Sequence, residues 1–483
     1  MSYNAVKTKH REYAAMLPKW QKIRDVLAGE CRSYLRDVGA SEPDADYGRQ
    51  RQEEYADGAI LYNFTKRTLS GMVGAVMRKP PEVQVPSALE YLLDNCDGAG
   101  LGLAQQAQDA LKEVDAVGRA GLLADAPNTA AATRAEQNAG KLNPRVQLYT
   151  AENIINWRKS RHGSTQVLSM VVLREPYEYA NATNEFEWVQ SEAYRVLDIV
   201  DGVYRQRIYT FDAQGLAMTE EEIIPTVSGR PLDYIPFTFI GSDNNDDTID
   251  FPPLETLAEL NLGHYRNSAD IEESAFVCGQ PTLMIYPGEQ LSPQSFREAN
   301  PHGIRLGSRI GHNLGAGGGS EFLQAAPSNL AKELMRDKED QAIKVGAQLI
   351  TPSAQITAEA ARLQRGADTS IMATIAQNVG AAYEQAVKWC GAFLGNAEEV
   401  VFELSTEFFM LPMTAQDRAA WIADINAGLM PQRSYWAALR ASGTTNWTDE
   451  EIEDAIEGQS PAPAPVMVAE VVGEIPAAPT DEE

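Results

Sequence analysis

At 483 residues the chain is too long for one ordinary core and is expected to divide into two to four structural regions. Its 44% hydrophobic and 23% charged residues are the proportions of a soluble globular protein, and no run approaches the 18 uninterrupted apolar residues of a membrane span. A formal net charge of −27 excludes an ordinary nucleic-acid binder, whose nonspecific affinity comes from Lys and Arg displacing counterions from phosphates.

The charge is uneven: residues 1–36 hold eight Lys/Arg against three Asp/Glu, whereas residues 397–483 hold three Arg against 17 Asp/Glu. The basic start, with Lys7, Lys9 and Arg11, has no apolar core of signal-peptide length, so synthesis and assembly in a cytoplasm are expected. Cys31, Cys96, Cys278 and Cys390 are widely spaced without a CxxC pair, the pattern of reduced, buried thiols. The Asn-x-Ser/Thr triplets at Asn63, Asn181 and Asn446 are then chance matches.

Residues 11–75 read as two or three helices. Trp20, Ile23, Val26 and Leu27 form one helical stripe, the polar stretch 39–48 breaks it, and a second helix built on Ile60, Leu61, Phe64, Leu69, Met72 and Val73 stops before Pro80 and Pro81. A helix over about 101–117 is closed by Gly118, and Leu122 to Asp125 suggests a buried strand. Residues 127–145, rich in Ala, Asn, Thr and Gly, read as a flexible surface loop. Residues 146–240 are the β-rich part. Asp201-Gly202 between two β-prone runs predicts a type I′ hairpin, with further strands over 166–174 and 185–189. The acidic loop 243–250 offers clustered oxygens but lacks the spacing and closing Glu of an EF-hand, and a solvated loop is the simpler reading.

A helix over about 254–276 follows, with Leu257, Leu262 and Tyr265 on a narrow apolar stripe that has no evident cover within the chain. A Gly- and Pro-rich β excursion leads to a second helix over about 329–350. There Lys332, Arg336, Lys338 and Lys344 alternate with acids, which suits either ion pairing, such as Asp340 with Lys344, or weak contact with phosphates. The uncharged loop 351–357 then precedes a very long Ala-rich helix. After a strand near 400–409, three short helices are expected over 415–427, 432–441 and 449–456, the last opened by a Thr448/Glu451 capping box. From residue 459, alternating prolines, small residues and acids predict disorder.

The run PPLETLAELNLGHYRNSADIEESAF, then QPTLMIYPG, a Gly-rich patch, ELMRDKEDQAIKVGAQLI and ITAEAARL, resembles the portal proteins of tailed bacteriophages. The resemblance spans residues 19–458 and lies in the order of elements. It implies an α+β portal fold with an α/β wing, a two-helix stem, a small β-containing clip, a long kinked helix and a helical crown. On this basis residues 1–253 are the wing, 254–277 the first stem helix, 278–327 the clip and 328–350 the second stem helix. The tunnel loop is 351–357, the long wing helix 358–396, the wing strand and crown 397–458, and the acidic tail 459–483. The resemblance implies a homo-oligomer, a dodecamer, at one capsid vertex of the virion. Its partners would be a terminase motor and head-completion or adaptor proteins at the clip, and major capsid protein around the wing. Double-stranded DNA would pass without sequence specificity during packaging and ejection. Thr351, Ser353, Gln355 and Thr357 would face that DNA, Lys332, Arg336, Lys338 and Lys344 would line the channel, and Leu257, Leu262 and Tyr265 would form the stem interface. A dozen helices, each about 10 Å wide, enclose a bore of roughly 28 Å, enough for a duplex.

No catalytic, cofactor or metal site is expected. Neither glycine run, 98–102 or 315–319, leads into Gly-Lys-Ser/Thr, no HExxH or GxSxG occurs, and the five histidines are scattered. The alternatives are another virion ring, such as a connector or tail hub, or a cytosolic enzyme or scaffold with a protruding hairpin.

Overall fold

The computed structural model describes residues 3–126, 143–181, 184–211, 217–227, 229–279, 282–289, 292–301, 314–324, 330–346, 358–395, 399–406, 408, 415–441, 443–445 and 447–457. The expected flexible loop, tunnel loop and acidic tail lie outside these residues, apart from 143–145. The chain forms two compact units, Met1–Phe408 and Phe409–Glu483.

In the first unit, α1 (Arg11–Ala28), α2 (Ala45–Gly58) and α3 (Phe64–Val76) precede the short strand β1 (Glu82–Gln84), a single turn α4 (Tyr91–Asp94) and α5 (Leu103–Val117). Helix α2 starts within the polar break expected over 39–48 and runs beyond it, opened by an Asp44 cap whose carboxylate accepts from the Asp46 and Tyr47 amides. Ile60 and Leu61 belong to the link before α3, which starts at an Asn63 cap. The α5 helix is buried nearly all round, and its polar Gln106 is satisfied by donating to the Val146 carbonyl (2.9 Å) and accepting from the Tyr383 hydroxyl (3.2 Å).

Strands β2 (Arg119–Asp125), β3 (Arg145–Thr150) and β11 (Phe237–Gly241) form an antiparallel sheet in the order β11-β2-β3. Between them runs a five-stranded meander: β4 (Ile154–His162), β5 (Thr165–Asn181), β6 (Asn184–Val200), β7 (Val203–Phe211) and β8 (Ala217–Ile223). The minor strands β9 (Thr226–Val227) and β10 (Arg230–Pro231) pair with each other. The Asp201-Gly202 turn has the two positive φ values, 53° and 79°, that its dipeptide predicts.

The stem helix α6 (Glu255–Gly279) leads to β12 (Thr282–Tyr286), a short helix α7 (Pro293–Ala299) and β13 (Gly319–Leu323). The chain returns through α8 (Leu330–Val345) to the 36-residue α9 (Ala358–Phe393), assigned as one continuous helix, and β14 (Val401–Glu403) pairs antiparallel with β1. Met372, Ile375, Ala376, Val379, Tyr383, Ala386, Val387 and Cys390 recur at helical spacing and are buried against α5, β11 and β14. Tyr383 stacks on Phe402 at 5.2 Å, closing the core between α9 and β14. The second unit comprises α10 (Ala415–Asn426), α11 (Gln432–Ala441) and α12 (Asp449–Glu457). The expected capping box is present: Thr448 Oγ1 accepts from the Glu451 amide and the Glu451 carboxylate accepts from the Thr448 amide.

Asp115 lies in this core at 1% exposure, and its Oδ2 has no hydrogen-bond partner. Burial pushes its carboxyl up to about 8. An unfolded Asp loses its proton near pH 4, so between about pH 4 and pH 8 the folded state holds one more proton and stability falls as pH rises. Asp115→Asn keeps the neutral shape, so the melting temperature should rise by several degrees at pH 7.5 and stay unchanged near pH 4. Equal shifts at both values, measured by differential scanning fluorimetry, would show that the carboxyl is ionised in the fold.

Candidate functional site

The α6–β12–β13–α8 hairpin is the feature with functional content, and its root is polar. Asn261 is fully buried: its Oδ1 accepts from the Thr65 amide (3.2 Å) and hydroxyl (2.9 Å), and its Nδ2 donates to the Tyr62 carbonyl (3.0 Å). Ser268 Oγ accepts from the Ile60 amide at 2.9 Å, and Asp270 accepts from the Tyr55 hydroxyl at 2.8 Å. Burial, reinforced by that carboxylate, pushes the Tyr55 phenol up. Along the α1 side, Lys19 pairs with Glu255 (3.1 Å) and Lys22 with Glu259 (2.8 Å), while Arg51 of α2 reaches Glu273 (3.1 Å).

These bonds hold α6 inside the body, so the expectation of an uncovered stripe is corrected. Leu257, Leu262 and Tyr265 are 1%, 3% and 6% exposed and belong to the hydrophobic core of the first unit. They are covered within the chain and present no surface to another copy.

The return helix α8 rests on α6 through two polar contacts. Lys338 Nζ donates to Asn267 Oδ1 at 2.7 Å, and its side chain crosses Gly263, where a Cβ would approach Lys338 Cε to 2.9 Å. His264 is fully buried, edge-on to Tyr62 and Phe64, and its Nε2 lies 3.1 Å from Glu339 Oε1. Of the basic residues expected to line a channel, Lys338 is thus committed to the hairpin itself. Lys332, Arg336 and Lys344 are exposed, and no ion pair joins Asp340 to Lys344 among the described residues.

Exposure rises toward the far end of the hairpin. Phe276, near the end of α6, is 64% exposed; β13 is exposed throughout, with Phe322 at 59% and Leu323 at 62%. Among the described residues, strands β12 and β13 pair only with each other, from Thr282↔Leu323 to Tyr286↔Gly319. The glycine run before β13 makes a tight turn: Gly315 and Gly317 have φ of 79° and 77°.

Thr351, Ser353, Gln355 and Thr357 lie outside the described residues, as do His302 and His312. The acidic loop 243–250 leaves Asp243, Asn244 and Asp246 exposed and ties its other groups to the protein. Asp250 accepts from the Asp243 amide (2.8 Å), Lys159 pairs with Asp247, and the Thr248 carbonyl accepts from Arg119 (2.8 Å). Among the described residues no group of His, Cys, Asp or Glu could hold a metal ion, and no helix is long and apolar enough to cross a membrane. Cys31, Cys96 and Cys390 are buried free thiols, and burial pushes Cys96 up to about 12.

Sequence periodicity missed the polar residues of α6, because Asn261, His264, Asn267 and Ser268 look like gaps in an apolar stripe. Their signal is compositional: four uncharged or weakly basic polar residues in eight positions, where a solvent face would carry Lys and Glu.

A family model described as a domain of unknown function, DUF4055, matches residues 253–394, from just before α6 to the end of α9. No curated protein matches the chain. Among solved structures, it is similar to a chain described as the neck of an empty GTA particle computed with C6 symmetry, with 16% identity, a TM-score of 0.40 and coverage of 78% of this chain and 89% of that one. It is also similar to an HK97 family phage portal protein from Corynebacterium diphtheriae, with 10% identity, a TM-score of 0.30 and coverage of 71% and 91%.

Asn261→Ala removes three buried hydrogen bonds and takes the Asn261 acceptor from the buried Thr65 amide, a loss of about 2–4 kcal/mol. The melting temperature should fall by roughly 2–5 °C. A fall of less than about 1 °C, by calorimetry, would show that α6 is held by its apolar face alone.

Proposed function

We propose that this chain is the subunit of a phage portal, a homo-oligomeric ring at one capsid vertex through which double-stranded DNA is packaged and ejected. The observation that carries this reading is the hairpin: α6 is rooted in the body, its far end and the β12–β13 ribbon are exposed, and the chain returns through α8, which precedes α9 in sequence. A helical pair fixed at one end and bare at the other fits a stem completed by copies of itself, with the ribbon as the clip. Terminase and head-completion proteins would dock there, and capsid protein would surround the wing.

The remaining assignments follow from that frame. Lys332, Arg336 and Lys344 stand on the outward side of α8, where a ring of them would touch phosphates weakly. The loop containing Thr351, Ser353, Gln355 and Thr357 joins the stem to α9 and would face the passing duplex with small, mostly polar side chains. The subunit number proposed is twelve. No catalytic step is assigned to the chain; the work of translocation would come from the motor it docks.

Negative-stain imaging and mass photometry of the purified chain test the reading: wide-topped rings with an axial hole are expected, and a compact monomer would overturn it. Gln355→Lys adds one positive charge per subunit to the loop. It should leave ring formation intact and reduce the yield of packaged DNA in particles carrying the variant. Normal packaging with normal rings would remove the loop from the DNA path.

A further inference from the structure

The β5–β6 hairpin outgrows its sheet. Among the described residues, β4 pairs with β5 only as far as Leu173, and β7 pairs with β6 only from Tyr194 onward, yet β5 and β6 stay paired out to Asn181↔Asn184. Beyond residues 174 and 193 they are a two-stranded ribbon, which alone is marginally stable in water. This ribbon carries Phe186 at 85% exposure and Trp188 at 64%. Residues alternate between faces along a strand, so Phe186 and Trp188 share one face with Gln190 and Glu192. Large apolar side chains on an unsupported ribbon mark a contact surface. The ribbon is also acidic: residues 175–193 contain five Glu and no Lys or Arg, although Glu175 and Glu192 at its base are paired with Arg195 and Arg174.

A surface of opposite character lies at the start of the chain. Residues 1–24 contain six Lys/Arg and a single acid, Glu12. There, a cleft of about 610 Å³ is lined by Tyr13, Leu17, Pro18 and Ile155, with Lys7 and Lys9 in its wall. Its two carboxylates are already matched, Glu152 by Arg24 (2.8 Å) and Glu192 by Arg174 (3.4 Å). Lys7 lies 3.7 Å from the Phe211 ring centroid and Lys9 lies 5.6 Å from that of Tyr13, and neither ammonium has a carboxylate partner among the described residues. The cleft therefore offers an aromatic and aliphatic pocket of the size that takes large side chains, with unmatched positive charge beside it.

The tip of the ribbon cannot fill this cleft in its own chain. The cleft borders the base of the ribbon at Tyr194 and Glu192, and Phe186 lies about eight residues, or ~27 Å, further along a paired strand. We infer that the ribbon of one copy docks its Phe186 and Trp188 into the cleft beside Lys7 and Lys9 of the next copy. Arm and cleft are different surfaces, so the contact is head-to-tail, the kind that closes into a ring when the rotation permits. This rests on the ring reading above and names the interface that makes the ring. Because charge steers it, the contact weakens with salt.

Two variants separate the halves of the interface. Phe186→Ser with Trp188→Ser strips the arm at exposed positions. Lys7→Glu with Lys9→Glu reverses the cleft, and both its sites are exposed ahead of α1, so neither variant alters the core. Circular dichroism and thermal melts should match wild type. Sedimentation velocity should show each variant associating at least tenfold more weakly than wild type. A one-to-one mixture should form heterodimers and stop there, because only one intact arm and one intact cleft remain to meet. Wild-type rings with equally competent variants would overturn the arm and leave the ring reading standing. Wild-type filaments that both variants abolish would support the arm and overturn the closed ring. A wild type that stays monomeric at high micromolar concentration would overturn both.

Discussion

A helix that carries polar side chains into a protein interior has to satisfy each of them there. In α6 that requirement organises the rest of the molecule. Asn261, Ser268, Asp270 and Glu273 each meet a group from α2, α3 or the segments beside them. An unpaired amide in the same place would cost on the order of 1–3 kcal/mol, so the register between α6 and the N-terminal helices is specified as well as stabilised. Sliding α6 by one turn would break all of these bonds together. The hairpin beyond it inherits that register: α8 is positioned by Lys338 on Asn267 and by Glu339 at His264, and β12–β13 are positioned by the two helices.

The helices with broad apolar faces were legible in the sequence, as was the Asp-Gly turn, because each obeys one local rule that tertiary structure did not override. The stripe of α6 misled for a physical reason. Periodicity counts apolar residues, and a narrow stripe looks half-exposed; but the other sides of this helix are buried by hydrogen bonding rather than by apolar contact. The outer part of β5, residues 175–181, was not legible as strand, whereas the run 185–189 in β6 was. Residues 175–181 mix Pro, Glu and Asn with tyrosines and show no clear alternation, yet their ladder to β6 depends on backbone groups alone and continues to Asn181. What sequence order did convey was the succession of helix, β excursion, helix and long helix, since order survives errors in the boundaries.

The distribution of cations explains how a chain of net charge −27 keeps a stable core. Several arginines are spent internally. Arg24 bridges Glu113 and Glu152, tying α1 to α5 and to the turn before β4, and Arg195 bridges Glu175 and Asp125 across two sheets. Arg119 lies between Trp157 and Phe239, 4.6 and 4.1 Å from their ring centroids; burial lowers it to about 10, still charged at neutral pH. A cation committed to a buried pair adds nothing to the field outside.

Such pairs cancel internally, so the acidity of the chain is expressed at its exposed surface, and this bears on the proposed channel. A duplex sliding past a basic wall would release counterions and bind, at an affinity that rises with each phosphate neutralised. An acidic body with a few separated cations, such as Lys332, Arg336 and Lys344 on α8, would instead centre the duplex by repulsion and touch it only briefly. Adding cations to that wall would therefore trade translocation speed for grip, whereas removing the three that stand there would weaken the only attractive contacts proposed along the stem. In the proposed ring, the opposite-charge patches on the β5–β6 ribbon and the N-terminal cleft would act across a different gap, between neighbouring copies, where close approach would let a few pairs outweigh the long-range repulsion of two acidic subunits within a Debye length.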